Sequence, residues 1–234
     1  MLKQDQFIDS KHLQLPMLFK KSIFYAINLL FLFLIVAGFS SAHSQNYTPV
    51  KNIVEFRSLY SEKSDAINTL KSDFIQEKSI SMLKNKIISE GSFIYKKNKK
   101  LRMEYKKPYT YLFIMDNDKV TIKNNQQKSS VSTKSNKLFQ MISQMTIDCV
   151  TGKVLNSKDF DIKVSENAKV YHLVLIPRQK LLKSLFNGID ILISKIDFTV
   201  DRLEMKETSG DNTVLIFSNK KINTLVTDEV FKVN

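Results

Sequence analysis

Between Lys71 and Ile122 the chain alternates apolar and polar residues over short runs broken by turns, and this constrains the fold more than any other feature. Leu101–Tyr105 (LRMEY) is the cleanest run. Leu101, Met103 and Tyr105 fall on one side and Arg102 and Glu104 on the other, the period of two that a half-buried strand requires. Upstream, one strand opens at Phe74, with Gln76 and Lys78 set among its apolar positions. Ile87–Tyr95 (IISEGSFIY) is a second, interrupted by Gly91, a residue suited to a bend in a strongly curved sheet. The charged turn Lys96–Lys100 leads into Leu101–Tyr105, Pro108 ends that strand, and Tyr109–Met115 and Lys119–Ile122 flank the tight turn Asp116–Asp118. Short hairpins in series predict an antiparallel meander.

On either side the period changes. Val50–Leu70 carries Val50, Ile53, Val54, Phe56, Leu59, Tyr60, Ile67 and Leu70 at helical spacing. Asn124–Asn136 is polar and reads as a loop, and Leu138–Met145 (LFQMISQM) places Leu138, Met141, Ile142 and Met145 on one helical face. Such a helix either packs as ordinary core or lies as a movable lid over an apolar cavity, for which flexible, polarizable methionine is well suited. Strands return at Phe160–Ser165, Val170–Pro177, Ile189–Asp197, Val200–Glu207 and Asn212–Ile222, with a short amphipathic segment at Arg178–Asn187 and a hairpin turn at Ser209–Asp211. The expected fold class is mainly β with helices (α+β): one long, strongly curved antiparallel sheet with helices packed into its concave side.

The beginning of the chain sets the compartment. Lys20 and Lys21 precede an apolar run from Ile23 to Phe39, and small residues follow through Ala42 and Ser44. A basic start, an apolar middle and small residues near a cleavage point describe a secretory signal peptide, although the run approaches the length of a membrane span. Residues 1–44 are therefore expected to be removed, with Met17 a possible true start, leaving a single domain over residues 45–234. The one cysteine, Cys149, lies inside that domain, so neither a disulfide framework nor a lipid-anchored cysteine at the cleavage site is expected.

Net charge is +13 for the chain and about +11 without the leader. Only four basic residues are arginine (Arg57, Arg102, Arg178 and Arg202), and an exported, lysine-rich chain does not read as a nucleic-acid binder. Weak, transient contact with anionic lipid head groups suits the charge better. Catalysis finds little support. Cys149 and His172 are conceivable as nucleophile and base, but no orienting partner or oxyanion motif accompanies them. Asp116 and Asp118 fall short of a calcium site, and no other ligands cluster, so neither metal nor cofactor is expected.

Several segments, in order, carry a family resemblance: Asp73–Gln76, Gly91–Phe93, the Lys96–Lys97 turn, Leu101–Tyr105, Pro108, Asp116–Asp118, Asp148–Lys153 and the ending Asp228–Phe231. Together they resemble the periplasmic outer-membrane lipoprotein carriers, the LolA family, in the version found in Bacteroidetes-type bacteria, over Val50 to Phe231. The resemblance implies an incomplete antiparallel barrel closed by a helical lid around an apolar cavity that takes the acyl chains of lipoproteins. It implies acylated lipoproteins as cargo, an inner-membrane release complex and an outer-membrane acceptor as partners, a monomer, and a periplasmic location. Cavity-lining candidates are Phe74, Phe93, Leu101, Met103, Leu112, Ile114, Phe139, Met141, Ile142 and Met145. The family's basic residue that ties the lid to the sheet, typically arginine, falls on Lys97, and its strand tryptophan on Met103. These departures leave room for a carrier of another amphiphile, such as a glycolipid or lipid-linked pigment. A sensor domain for lipidated proteins is a third reading, set lower because the sequence shows no additional domain.

Overall fold

The computed structural model describes residues 46–124, 128–132, 137–151 and 153–233. The leader reading falls on residues 1–44 and lies outside the described residues. Asn46–Asn234 form a compact unit of their own.

That unit is built on one twelve-stranded, wholly antiparallel sheet. The strands are β1 (Thr48–Pro49), β2 (Thr69–Ser79), β3 (Ile87–Lys96), β4 (Lys100–Lys107), β5 (Tyr111–Asp116), β6 (Lys119–Asn124), β7 (Lys128–Ser132), β8 (Phe160–Glu166), β9 (Val170–Pro177), β10 (Phe186–Ser194), β11 (Val200–Glu207) and β12 (Asn212–Ile222). Their order is β1-β8-β9-β10-β11-β12-β2-β3-β4-β5-β6-β7, so the barrel stays open, with a two-residue strand at one edge and a five-residue strand at the other. The helices are α1 (Ile53–Asp65), α2 (Lys137–Thr151) and the single turn α3 (Lys180–Lys183).

Local chemistry fixes these elements. Asn52 caps α1 by accepting the Glu55 amide at 3.1 Å, and Phe56 and Tyr60 bury one face of the helix. The β3–β4 hairpin closes through the three residues Lys97–Lys99, of which Asn98 and Lys99 both take positive φ. Gly91 sits at a register shift between β3 and β4. A Cβ there would stand 2.2 Å from the Glu104 carbonyl oxygen and 2.6 Å from the Phe74 ring, so only glycine lets strand and ring close up at the bend.

The sequence reading differs from the structure in a few places. The polar stretch read as loop contains β7, whose Ser130 hydroxyl meets that of Thr121 at 3.0 Å. An edge strand satisfies its backbone against one neighbour and needs no apolar run. β2 begins at Thr69 rather than Phe74, and β10 begins at Phe186, inside the segment read as amphipathic. Helix α2 runs on to Thr151, well past Met145.

On the concave side, α1 and α2 pack onto the sheet. Phe56 and Tyr60 of α1 and Met145 and Cys149 of α2 join Leu173 and Leu175 of β9 and Ile189, Ile191 and Ile193 of β10 in one core. A second core gathers Leu70 and Phe74 of β2, Phe93 and Tyr95 of β3, Leu101 of β4, Met115 of β5 and Ile147 of α2. On the convex side, the C-terminal tail crosses β3 to β5. Val226 and Phe231 bury Ile114, Arg102 donates to the Val230 carbonyl at 3.0 Å, and Lys96 donates to Asp228 at 2.6 Å.

Candidate functional site

Register decides which side chains meet on the concave face. Met103 of β4 pairs with Phe93 of β3 on one side and Phe113 of β5 on the other, and Tyr105 pairs with Tyr111. Across the sheet, Leu203 of β11 pairs with Leu215 of β12. These side chains surround a cavity of about 300 Å³, roofed by Met145, Thr146 and Cys149 of α2 and reached by Phe186 and Ile189 of β10. Among the described residues its lining carries no charged side chain. The Tyr105 hydroxyl is satisfied by the Gln76 side-chain oxygen at 2.8 Å, so that polar atom does not spoil the apolar surface. Burial pushes the Tyr105 hydroxyl up to about 12, with a smaller contribution from Tyr111. Burial, then the Asp148 carboxylate, pushes the Cys149 thiol up to about 12, so both groups stay protonated and neutral at ordinary pH.

One layer further along the strands the concave face turns polar. Thr213 pairs with Lys78 and with Met205, and Lys78 forms an ion pair with Glu207, which also accepts from the Thr213 hydroxyl at 2.9 Å. Asp211 lies 3.8 Å from the same ammonium. An apolar hollow thus ends in a collar of opposed charges. A larger hollow of about 850 Å³ lies on the convex face beside the tail, but Arg102, Glu104, Lys123, Glu229 and Lys232 line it, which suits no apolar ligand.

Of the sequence-predicted lining residues, Phe93, Met103 and Met145 line the cavity. Phe74 and Leu101 are fully packed core beside it, Phe74 edge-on to Tyr105 at 4.9 Å. Met141 is half-buried against the β9–β10 core. Leu112 and Ile114 require correction: both pack with the C-terminal tail on the opposite face, because the pairing Met103–Phe113 turns Phe113 inward. The side chains of Phe139 and Ile142 lie outside the described residues. Lys97 donates to the Asp65 carbonyl at 2.8 Å, the C-terminal end of α1, where a cation also suits the helix dipole. It shares a small cleft with Gln144 and Ile147 of α2.

Sequence reading missed Tyr111, Phe113, Leu203, Met205, Leu215 and Phe217. The parity of Leu101, Met103 and Tyr105, carried across one hairpin, finds Phe113 and Tyr111. Cys149 and His172 are not a catalytic pair. The thiol faces the concave cavity, whereas His172 alternates with the inward Leu173 and meets Asp190 at 2.8 Å on the other face. Among the described residues no three potential ligands cluster as a metal site.

An open antiparallel sheet, curved around helices that leave an uncharged hollow, defines a class of binding protein built to hold apolar groups. The family model "Outer membrane lipoprotein carrier protein LolA" matches residues 65–234, and the chain belongs to that family. Among solved structures, the chain resembles an uncharacterized conserved protein from Thermus thermophilus at 12% identity over 78% of this chain and 94% of that one, with a TM-score of 0.50. A putative outer membrane lipoprotein-sorting protein domain from Vibrio parahaemolyticus shares 11% identity over 76% and 95%, with a TM-score of 0.44. Lipoprotein LppX of Mycobacterium tuberculosis shares 11% identity over 76% and 99%, with a TM-score of 0.43. Identities this low speak to the fold alone. A comparison with curated proteins finds no match.

Proposed function

We propose that this protein is a periplasmic carrier that shelters the acyl chains of lipoproteins in the concave cavity and moves them from the inner to the outer membrane. The observation that carries this reading is the uncharged, largely apolar cavity of about 300 Å³ under α2. Exposing an acyl chain to water costs about 0.8 kcal/mol per CH₂. A carrier answers that cost with a shape-tolerant apolar pocket and no reactive group. Met103, Met145 and Met205 give the lining side chains that adapt without strain.

The collar of Lys78, Glu207 and Thr213 supports an amphiphile rather than a plain hydrocarbon, because it sets polar partners where an apolar tail would end. The volume lies at the small end of ligand pockets, about 300–1,000 Å³, so fuller loading requires α2 to shift from the sheet. The leader-like start of the chain supports export to the periplasm. On this reading the cargo comes from an inner-membrane release complex and passes to an outer-membrane acceptor, with the carrier acting as a monomer.

Native mass spectrometry of Asn46–Asn234, recovered from a periplasm containing its natural lipoproteins, tests the proposal. A bound acylated polypeptide supports it. A bound glycolipid or pigment replaces it with the carriage of another amphiphile. Bare protein, under conditions in which a known carrier keeps its cargo, overturns it.

A further inference from the structure

The cavity lies toward one end of the sheet. Tyr105 stands two residues before the end of β4, Tyr111 opens β5, Phe186 opens β10, and Met205 stands two residues before the end of β11. The same end presents the β2–β3 hairpin tip, and there apolar side chains point into solvent: Met82 is 92% exposed, Leu83 55% and Ile88 55%, with Tyr109 of the β4–β5 turn 79% exposed. The tip is braced. The Ser81 amide and hydroxyl both donate to Asp211, at 3.0 and 3.2 Å, and the Leu83 amide donates to the Ile80 carbonyl at 2.9 Å. The turn is thus fixed with its methionine and leucine in solvent.

The acidic groups Glu77, Glu90 and Glu207 at this end are each matched by a lysine, Asp211 shares Lys78 with Glu207, and Asp161 meets Arg178. Lys84, Lys106, Lys180 and Lys183 are exposed and carry no ion pair among the described residues. Projecting apolar tips suit insertion between lipid chains, an aromatic suits the headgroup level, and surplus lysines suit a phosphate-rich surface.

We propose that the β2–β3 tip and the β4–β5 turn dock this protein onto an anionic phospholipid surface, bringing the cavity end against the membrane. The docking rests on exposure and charge rather than on the carrier reading, although it gives that reading a route by which an apolar chain leaves the bilayer without crossing water.

The test is flotation of Asn46–Asn234 with vesicles of phosphatidylethanolamine and phosphatidylglycerol, against vesicles of phosphatidylcholine alone. The proposal expects binding to the anionic vesicles that added salt weakens. It expects the M82S/L83S variant to bind about tenfold more weakly, and I196S, at the other end of the sheet, to bind as the parent does. Equal flotation of parent and M82S/L83S overturns it, as does absence of binding to anionic vesicles. A concentration-dependent dimer that M82S/L83S abolishes, without vesicle binding, overturns it in favour of an interface between copies. Uptake of an apolar fluorescent probe separates the two proposals. M82S/L83S keeps uptake while losing vesicles, and M103E loses uptake while keeping them.

Discussion

Two stretches of the same concave face behave oppositely. Over β9 and β10, Leu173, Leu175, Ile191 and Ile193 are completely buried beneath α1 and α2. Over β4, β5, β11 and β12, Met103, Tyr105, Phe113, Leu203, Met205 and Leu215 point inward just as firmly yet stay half-buried. What differs is the cover: among the described residues, helix side chains fill the first stretch and leave a hollow over the second. Unfilled apolar surface forgoes dispersion contacts, a local sacrifice that the filled stretch offsets. Close packing is concentrated in one half of the face and unfilled volume in the other.

Truncation separates the halves most strongly. Ile191→Ala removes packed core and is expected to cost about 2–5 kcal/mol in urea unfolding, whereas Met103→Ala, beside an existing hollow, is expected to cost about 1 kcal/mol or less. Equal costs would break the comparison. Next, Met103→Glu is expected to weaken uptake of an apolar probe by about tenfold or more with a smaller change in the unfolding midpoint, since a carboxylate resists transfer to an apolar site. If folding and uptake fall together, Met103 is plain core.

Enlargement gives the converse. Ile191→Phe overpacks a full site and is expected to cost about 1–3 kcal/mol, whereas Leu215→Phe grows into space and is expected to be nearly neutral while lowering uptake. Thermal unfolding and probe titration on the same samples check both.

The smallest effects come from pH, and they divide the molecule again. Burial pushes the Asp190 carboxyl up, but Lys206 at 2.7 Å and His172 outweigh it and hold it below its ordinary 3.8. Asp197 is likewise held low: burial raises it, and bonds from Thr199 together with Lys220 overcome that. A depressed carboxylate stabilises the fold above its unfolded value, so stability is expected to fall as pH drops below 3.8, and Asp190→Asn to flatten that limb. Among the described residues the cavity wall has no carboxylate. Its Cys149 and Tyr105 are raised from 9.0 and 10.0 to about 12, so stability from them is intact below 9.0 and declines only as pH climbs from there toward 12. Probe uptake is therefore expected to stay flat from neutral pH down to the onset of acid unfolding.

Much of this was legible in the chain. Strands β9, β11 and β12 fall where their alternation places them, and Gly91 marks the bend. Met103 was recognisable as inward-facing because one face of β4 reads apolar and the other polar, and the family resemblance then offered it and Phe93 as cavity wall. β5 was not legible in this way. Its sequence YLFIMD is apolar on both faces because the tail covers the convex side, so the period of two disappears and only pairing with β4 reveals that Phe113, not Leu112 or Ile114, turns inward. The cavity also lies beneath the later part of α2, at Met145 to Cys149, which helical spacing alone could not select.

Alternation, turn residues and the ordered family motifs are local properties, and by themselves they determined a curved antiparallel sheet with helices on one face and membership of the carrier family. Whether an inward apolar residue is filled core or cavity wall depends on what stands opposite it, a contact between segments far apart in the chain. That choice between Ile191 and Met103 was made only when α1 and α2 settled over β9 and β10 and left the rest of the concave face incompletely filled.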